Sequence, residues 1–164
     1  MKIAHALIAL CLTAPVLAQE FPKFYRLDFA LKELDENKIV SLKNYSTFMS
    51  TDAKSALIRV GTKVPYPAGN GSYNYADVGV NIDCTRIQEI NGQLLVQVNA
   101  EISSVAAGGT TSDAAVTPPA LVVRQNRWNS VAIIPIAKAT TLFSSDDLNS
   151  KRKLQLELTA TPVK

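Results

Sequence analysis

A chain of 164 residues has the length of one domain and can bury a core without disulfide staples. Its 17 Lys and Arg against 14 Asp and Glu leave a net charge of +3, too balanced to point to nucleic acid. One histidine, His5, and two cysteines, Cys11 and Cys84, leave little material for Ser-His-Asp, Cys-His or zinc chemistry.

Residues 1–18 begin with Lys2, continue through an apolar run over 3–12, break at Pro15 and end on Val16-Leu17-Ala18. That is the layout of a cleavable secretory signal, so a single β domain is expected over 19–164. The apolar run is shorter than the ~20 residues that span a bilayer, and Cys11 follows Leu10 without the small residue of a lipoprotein site. The expected location is exported: the periplasm, or the outer membrane and cell envelope. Removal of the signal takes His5, Cys11 and Lys2 with it, leaving sixteen basic against fourteen acidic residues, about +2. Cys84 then stands alone, and no intrachain disulfide can form.

Residues 24–34 and 39–50 read as a hairpin around Asp35-Glu36-Asn37-Lys38. Tyr25, Leu27, Phe29 and Leu31 alternate with Arg26, Asp28, Ala30 and Lys32, and that strict period of two outweighs the helix propensity of Leu, Ala, Lys and Glu. A third strand is predicted over 56–64, with Ile58 and Val60 on one side. The following VPYPAGNGS is rich in proline and glycine and reads as a surface loop. Tyr66, Tyr73 and Tyr75 decorate it, either packed at a sheet edge or offering a contact surface, since tyrosine supplies large area at low entropic cost.

The clearest pattern is DVGVNIDCTRIQEINGQLLVQVNAEISS, residues 77–104. Val78, Val80, Ile82 and Cys84 alternate with Gly79, Asn81, Asp83 and Thr85, and beyond Asn91-Gly92 a second arm carries Leu94, Val96, Val98, Ala100 and Ile102 on one face. Asn-Gly supplies the positive φ angles of a tight hairpin turn. Parity places Cys84 beside Val80 and Ile82 as a buried, inert thiol, with Arg86 two residues along on the same face.

Residues 105–119, VAAGGTTSDAAVTPP, read as a long surface loop. The strand over 121–134 changes its apolar side midway, as expected of a strand that crosses between sheets or carries a bulge. At its centre Arg124, Arg127 and Trp128 form either a packed guanidinium-indole pair or a binding hot spot. Ser144-Ser145-Asp146-Asp147 has the composition that ends a strand and lacks the ligand alternation of a calcium loop; no metal or cofactor is implied. Residues 152–162 close the chain with Leu154, Leu156, Leu158 and Ala160 on one side. The pattern predicts an all-β, antiparallel β-sandwich of about eight strands, with Val80, Ile82, Val96, Val98, Leu156 and Leu158 buried together.

The strand D-V-G-V-x-I-D, the x-N-G-x turn, the answering strand ending in E-I-S-S and the later V-V-R-Q-N-R-W-N-S-V-A-I-I-P resemble the β-domain of secretins, the ring-forming outer-membrane channels of type II and type III secretion and type IV pilus systems. The likeness runs from about Arg59 to Ile136. It departs at residues 142–147, LFSSDD, where secretins carry a Gly-Gly-Leu turn, and the chain has no room for the periplasmic ring-building domains that precede the β-domain. The resemblance implies a non-catalytic structural or interaction protein of the envelope, in protein secretion or pilus assembly, bound to an envelope partner or to itself, in soluble or membrane-associated form. Its candidate contact residues are Tyr66, Tyr73, Tyr75, Arg124, Arg127 and Trp128. A small outer-membrane or ligand-holding β-barrel is the alternative.

Overall fold

The computed structural model describes residues 21–69, 71–106, 122–146 and 151–163. The expected signal segment, most of the loop over 105–119, and Asp147 of the Ser-Asp run lie outside them. The described residues form eight strands: β1 (Phe24–Asp35), β2 (Lys38–Ser50), β3 (Ala56–Gly69), β4 (Ser72–Ile90), β5 (Gln93–Ala106), β6 (Val122–Pro135), β7 (Thr140–Asp146) and β8 (Arg152–Val163). They pair into two four-stranded antiparallel sheets, β2-β1-β8-β7 and β3-β4-β5-β6. Among the described residues the sheets do not close on themselves, so the strands present form no barrel.

Turn chemistry explains the two tight hairpins. Glu36 and Asn37 join β1 to β2, and Asn91 and Gly92 join β4 to β5, all four with positive φ. The core lies between the sheets. Tyr25, Leu27, Phe29, Leu31, Leu156, Leu158 and Ala160 meet Ile58, Val80, Ile82, Cys84, Ile87, Leu94, Val96, Val98 and Ile134. The six residues expected to be buried together are all in this cluster, as is Cys84, whose thiol burial pushes up to about 11.

Four expectations are corrected. Residues 65–69 and 72–75 are strand and not loop: β3 and β4 continue as a ribbon, with Pro65 opposite Tyr75 and Pro67 opposite Tyr73. The ladder survives because proline on an edge strand can turn its nitrogen away from the partner. The strand β5 runs on to Ala106, into the segment read as loop. The strand β6 neither crosses between sheets nor bulges; it pairs with β5 in one unbroken register, and its apparent change of side comes from exposed Val131 and Ile133 on the outer face. Finally, Arg86 does not share a face with Cys84. A bulge between Cys84 and Arg86 inserts Thr85, so Ile87 becomes the buried residue and Arg86 turns outward.

Candidate interaction surfaces

The β3–β4 ribbon separates the three tyrosines. Tyr73 and Tyr75 share a face with Asp77, Gly79 and Asn81, the outer face of their sheet, and are 64% and 62% exposed. Tyr66, paired with Asn74, lies on the opposite face and is half-buried. Period-two alternation makes this split unavoidable for residues of unlike parity on paired strands.

At the root of the ribbon β4 parts from β5. Their pairing begins only at Val80 and Ile102, and the Gly79 N–H instead donates to Ser103 Oγ at 3.0 Å. Gly61 sits opposite Gly79, which has φ +154°, and a Cβ built on Gly79 would lie 2.1 Å from the Val60 carbonyl oxygen. Two facing glycines leave a hollow of about 440 Å³ on the outer face, lined by Arg59, Lys63, Asp77, Asn81, Glu101 and Ser103. Ion pairs fence it: Arg59 with Asp83, and Lys63 with Asp77 at 3.1 Å. The sequence showed each glycine but not that they face each other, which depends on the β3–β4 register.

The strand β6 likewise divides its candidates. Trp128 points inward and stacks on Phe143 of β7, ring centroids 4.0 Å apart and planes 7° from parallel. This stack joins the edge strands of the two sheets and packs against the core. Arg127 points outward, its Nε and NH2 group donating to Glu101 Oε2 at 3.0 and 2.7 Å, while Gln125 donates to the other oxygen at 2.6 Å. Hydrogen bonds from Gln125 and then Arg127 hold the Glu101 carboxyl below its usual range. The indole thus packs on a phenyl ring, and Arg127, on the opposite face, pairs with Glu101 and not with the indole. Arg124 turns toward the space between the sheets, where core-facing positions change from apolar to polar and leave an open mouth of about 600 Å³. Leu31, Val80, Ile102 and Leu154 line it together with Lys43, Arg124 and the Arg152–Glu33 ion pair.

At the other end the sheets are tied by Glu89. Its Oε2 accepts from Tyr25 Oη at 2.7 Å and from Lys23 Nζ at 2.8 Å. Among the described residues no group of three or more His, Cys, Asp and Glu is placed to hold a metal, and no helix is long and apolar enough to cross a membrane.

No protein-family model matches the chain, and no curated protein does. Solved structures do. The secretin InvG of the Salmonella SPI-1 type III secretion injectisome superposes with a TM-score of 0.51 at 9% identity, over 87% of this chain and 64% of InvG. The outer-membrane complex of the Klebsiella pneumoniae type II secretion system, containing PulD, PulS and the PulC HR domain, gives 0.51 at 11% identity, over 87% of this chain and 38% of the matched one. The chain therefore spans less than two thirds of either. At these identities the likeness is one of fold, and the secretin resemblance carried by the sequence motifs is met again in the arrangement of the strands.

Proposed function

We propose that the protein is a non-catalytic structural and interaction module of the cell envelope, working in protein secretion or pilus assembly, and that it joins its assembly through the open edges of its sheets. The observation that carries this reading is the secretin-like arrangement of two stacked sheets, each ending, among the described residues, in two strands with an unpaired side. An unpaired strand edge is a template for another chain, and strand addition couples main-chain hydrogen bonds to side-chain pockets. Tyr73, Tyr75 and Arg127 on the outer face supply residue types that dominate interfaces; Tyr66, Arg124 and Trp128 serve the inner side.

Expression in a Gram-negative host followed by fractionation tests it. The expected result is recovery of the processed chain with the envelope, in a particle several times the mass of one chain. A monomer retained in the cytosol would overturn the reading.

A further inference from the structure

On the outer face of the β3-β4-β5-β6 sheet, Tyr73, Tyr75, Asp77, Gly79 and Asn81 follow one another along β4, each about 6.6 Å from the next. The hollow of about 440 Å³ opens at Gly79, and Asp77 stands between it and Tyr75. Cβ atoms of directly opposed residues lie about 5 Å apart, so two facing glycines remove neighbouring side chains and leave one continuous depression. Only glycine keeps it open. A Cβ on Gly61 would lie 2.7 Å from the Val78 carbonyl oxygen, and one on Gly79 still closer to that of Val60.

The lining selects the chemistry of a ligand. Arg59 and Lys63 bring two positive charges and Asp77 and Glu101 two negative ones, which cancel. Each is already paired: Arg59 with Asp83, Lys63 with Asp77 at 3.1 Å, and Glu101 with Arg127 at 2.7 Å. An ion of either sign would have to break one of these pairs and would meet no net field in return. Hydrogen-bonding capacity nevertheless remains. The Asn81 side-chain amide has no partner among the described residues, and Lys63 and Asp77 keep N–H groups and an oxygen beyond the bond they share.

Beside this neutral, polar hollow stand two exposed rings, Tyr73 and Tyr75, with Pro67 and Pro65 opposite them extending an apolar platform. A pyranose sugar matches both parts. It is uncharged, its rim of hydroxyls donates and accepts, and its C–H bonds present a weakly positive apolar face to the negative face of an aromatic ring.

We propose that this face binds a neutral glycan, the sugar strand of the cell wall, with sugar rings stacked on Tyr73 and Tyr75 and the next ring set in the hollow against Asn81, Lys63 and Asp77. Acidic or phosphorylated surface polysaccharides bring charge that nothing here is free to meet. The identity of the source rests on the envelope reading above; the glycan site itself does not.

The test uses the purified chain, recovered from whichever fraction of the expressing cell holds it. Depletion from solution by cell-wall sacculi gives the affinity, chitotetraose serves as a soluble neutral competitor, and lipopolysaccharide vesicles stand for an anionic glycan surface. The expected result is retention by sacculi and not by vesicles, and release by chitotetraose. The affinity should move less than about threefold between about 0.05 M and about 0.5 M NaCl, since a neutral ligand has no charge to screen. Tyr73→Ser with Tyr75→Ser should weaken it about tenfold or more at unchanged Tm, and Tyr73→Phe with Tyr75→Phe, which keeps the rings, less than about threefold. Asn81→Ala should weaken it about fivefold, the loss of one hydrogen bond. Binding that salt abolishes, that chitotetraose does not displace, or that survives the serine pair overturns the proposal, as does retention by lipopolysaccharide alone. A chain that binds chitotetraose but stays in the cytosol overturns the envelope reading and keeps the glycan site. An envelope chain that binds neither sacculi nor chitotetraose overturns the site and keeps the reading.

Discussion

The hydroxyl of Tyr25, on β1, donates to the carboxylate of Glu89, on β4 of the opposite sheet, at 2.7 Å across 64 residues of sequence. Tyr25→Phe keeps the buried ring and removes that bond, so it should cost about 1 kcal/mol at neutral pH, read as a lower Tm.

Titration of the same pair predicts both arms of the stability profile. Lys23 first and Tyr25 second hold the Glu89 carboxyl below its ordinary value, so its contribution is present above the unfolded-state value and is lost as pH falls through the folded one. Burial, with the Glu89 hydrogen bond, pushes the Tyr25 phenol from 10.0 up to about 12. That contribution is complete below pH 10 and is lost as pH rises toward 12. Urea unfolding across pH should show an alkaline decline that Tyr25→Phe reduces; an identical decline in the variant would contradict the assignment.

Val98→Asp would bury an unpaired carboxylate in the centre of the core. Relaxation and protonation lessen the penalty, but a loss of about 4 kcal/mol is expected. Near-native thermal stability of that variant would contradict the core assignment.

Cys84→Ala should fold and lose about 1 kcal/mol, the cost of a small cavity. Because the thiol is buried and pushed up to about 11, the native protein should react with a thiol reagent at neutral pH far more slowly than the urea-unfolded chain.

Two glycines with φ in the left-handed half of the map should respond differently to alanine. At Gly79 the added methyl meets the Val60 carbonyl and Gly61, and at Gly71 it meets nothing within 4 Å. Gly71→Ala should cost about 1 kcal/mol from backbone conformation alone. Gly79→Ala should cost about 3 kcal/mol or more and loosen the ribbon, seen as faster amide exchange at residues near Gly61.

Sequence patterning was sufficient where one periodic signal acted without competition. Tyr25 to Leu31 and Leu94 to Ala100 each bury every second residue, and Asn91-Gly92 carries its own turn geometry, so strands, faces and hairpin could all be read. Pro65 and Pro67 misled because proline breaks a central strand but is harmless on the outer side of an edge, and edge position follows from strand order. The strand β7 had no predicted range: its Ser-rich end and the irregularity between Thr141 and Phe143 disturb the alternation. The contact residues were found as types, but their grouping was not legible. Which of Tyr66, Tyr73 and Tyr75 share a face, and whether Trp128 meets an arginine or a phenyl ring, depends on register and on the partner strand.

The extra residue at Thr85 acts as a phase shifter for the strand that carries it. Up to Cys84 the even positions of β4 point into the core, and past the insertion the odd ones do, which is how Ile87 is buried and Glu89 reaches Tyr25. Removing that one residue would set Arg86 directly after Cys84, still opposite Gln97, in an unbulged strand where Ile87 and Glu89 keep their inward parity; regular pairing of Thr85 itself is what would send Arg86 and Gln88 inward and take Glu89 out of reach of the other sheet. The latch between the two sheets therefore depends on the bulge absorbing the extra residue: deletion of Thr85 should keep Ile87 buried and Glu89 within reach of Tyr25, and should remove only the local twist that a bulge adds.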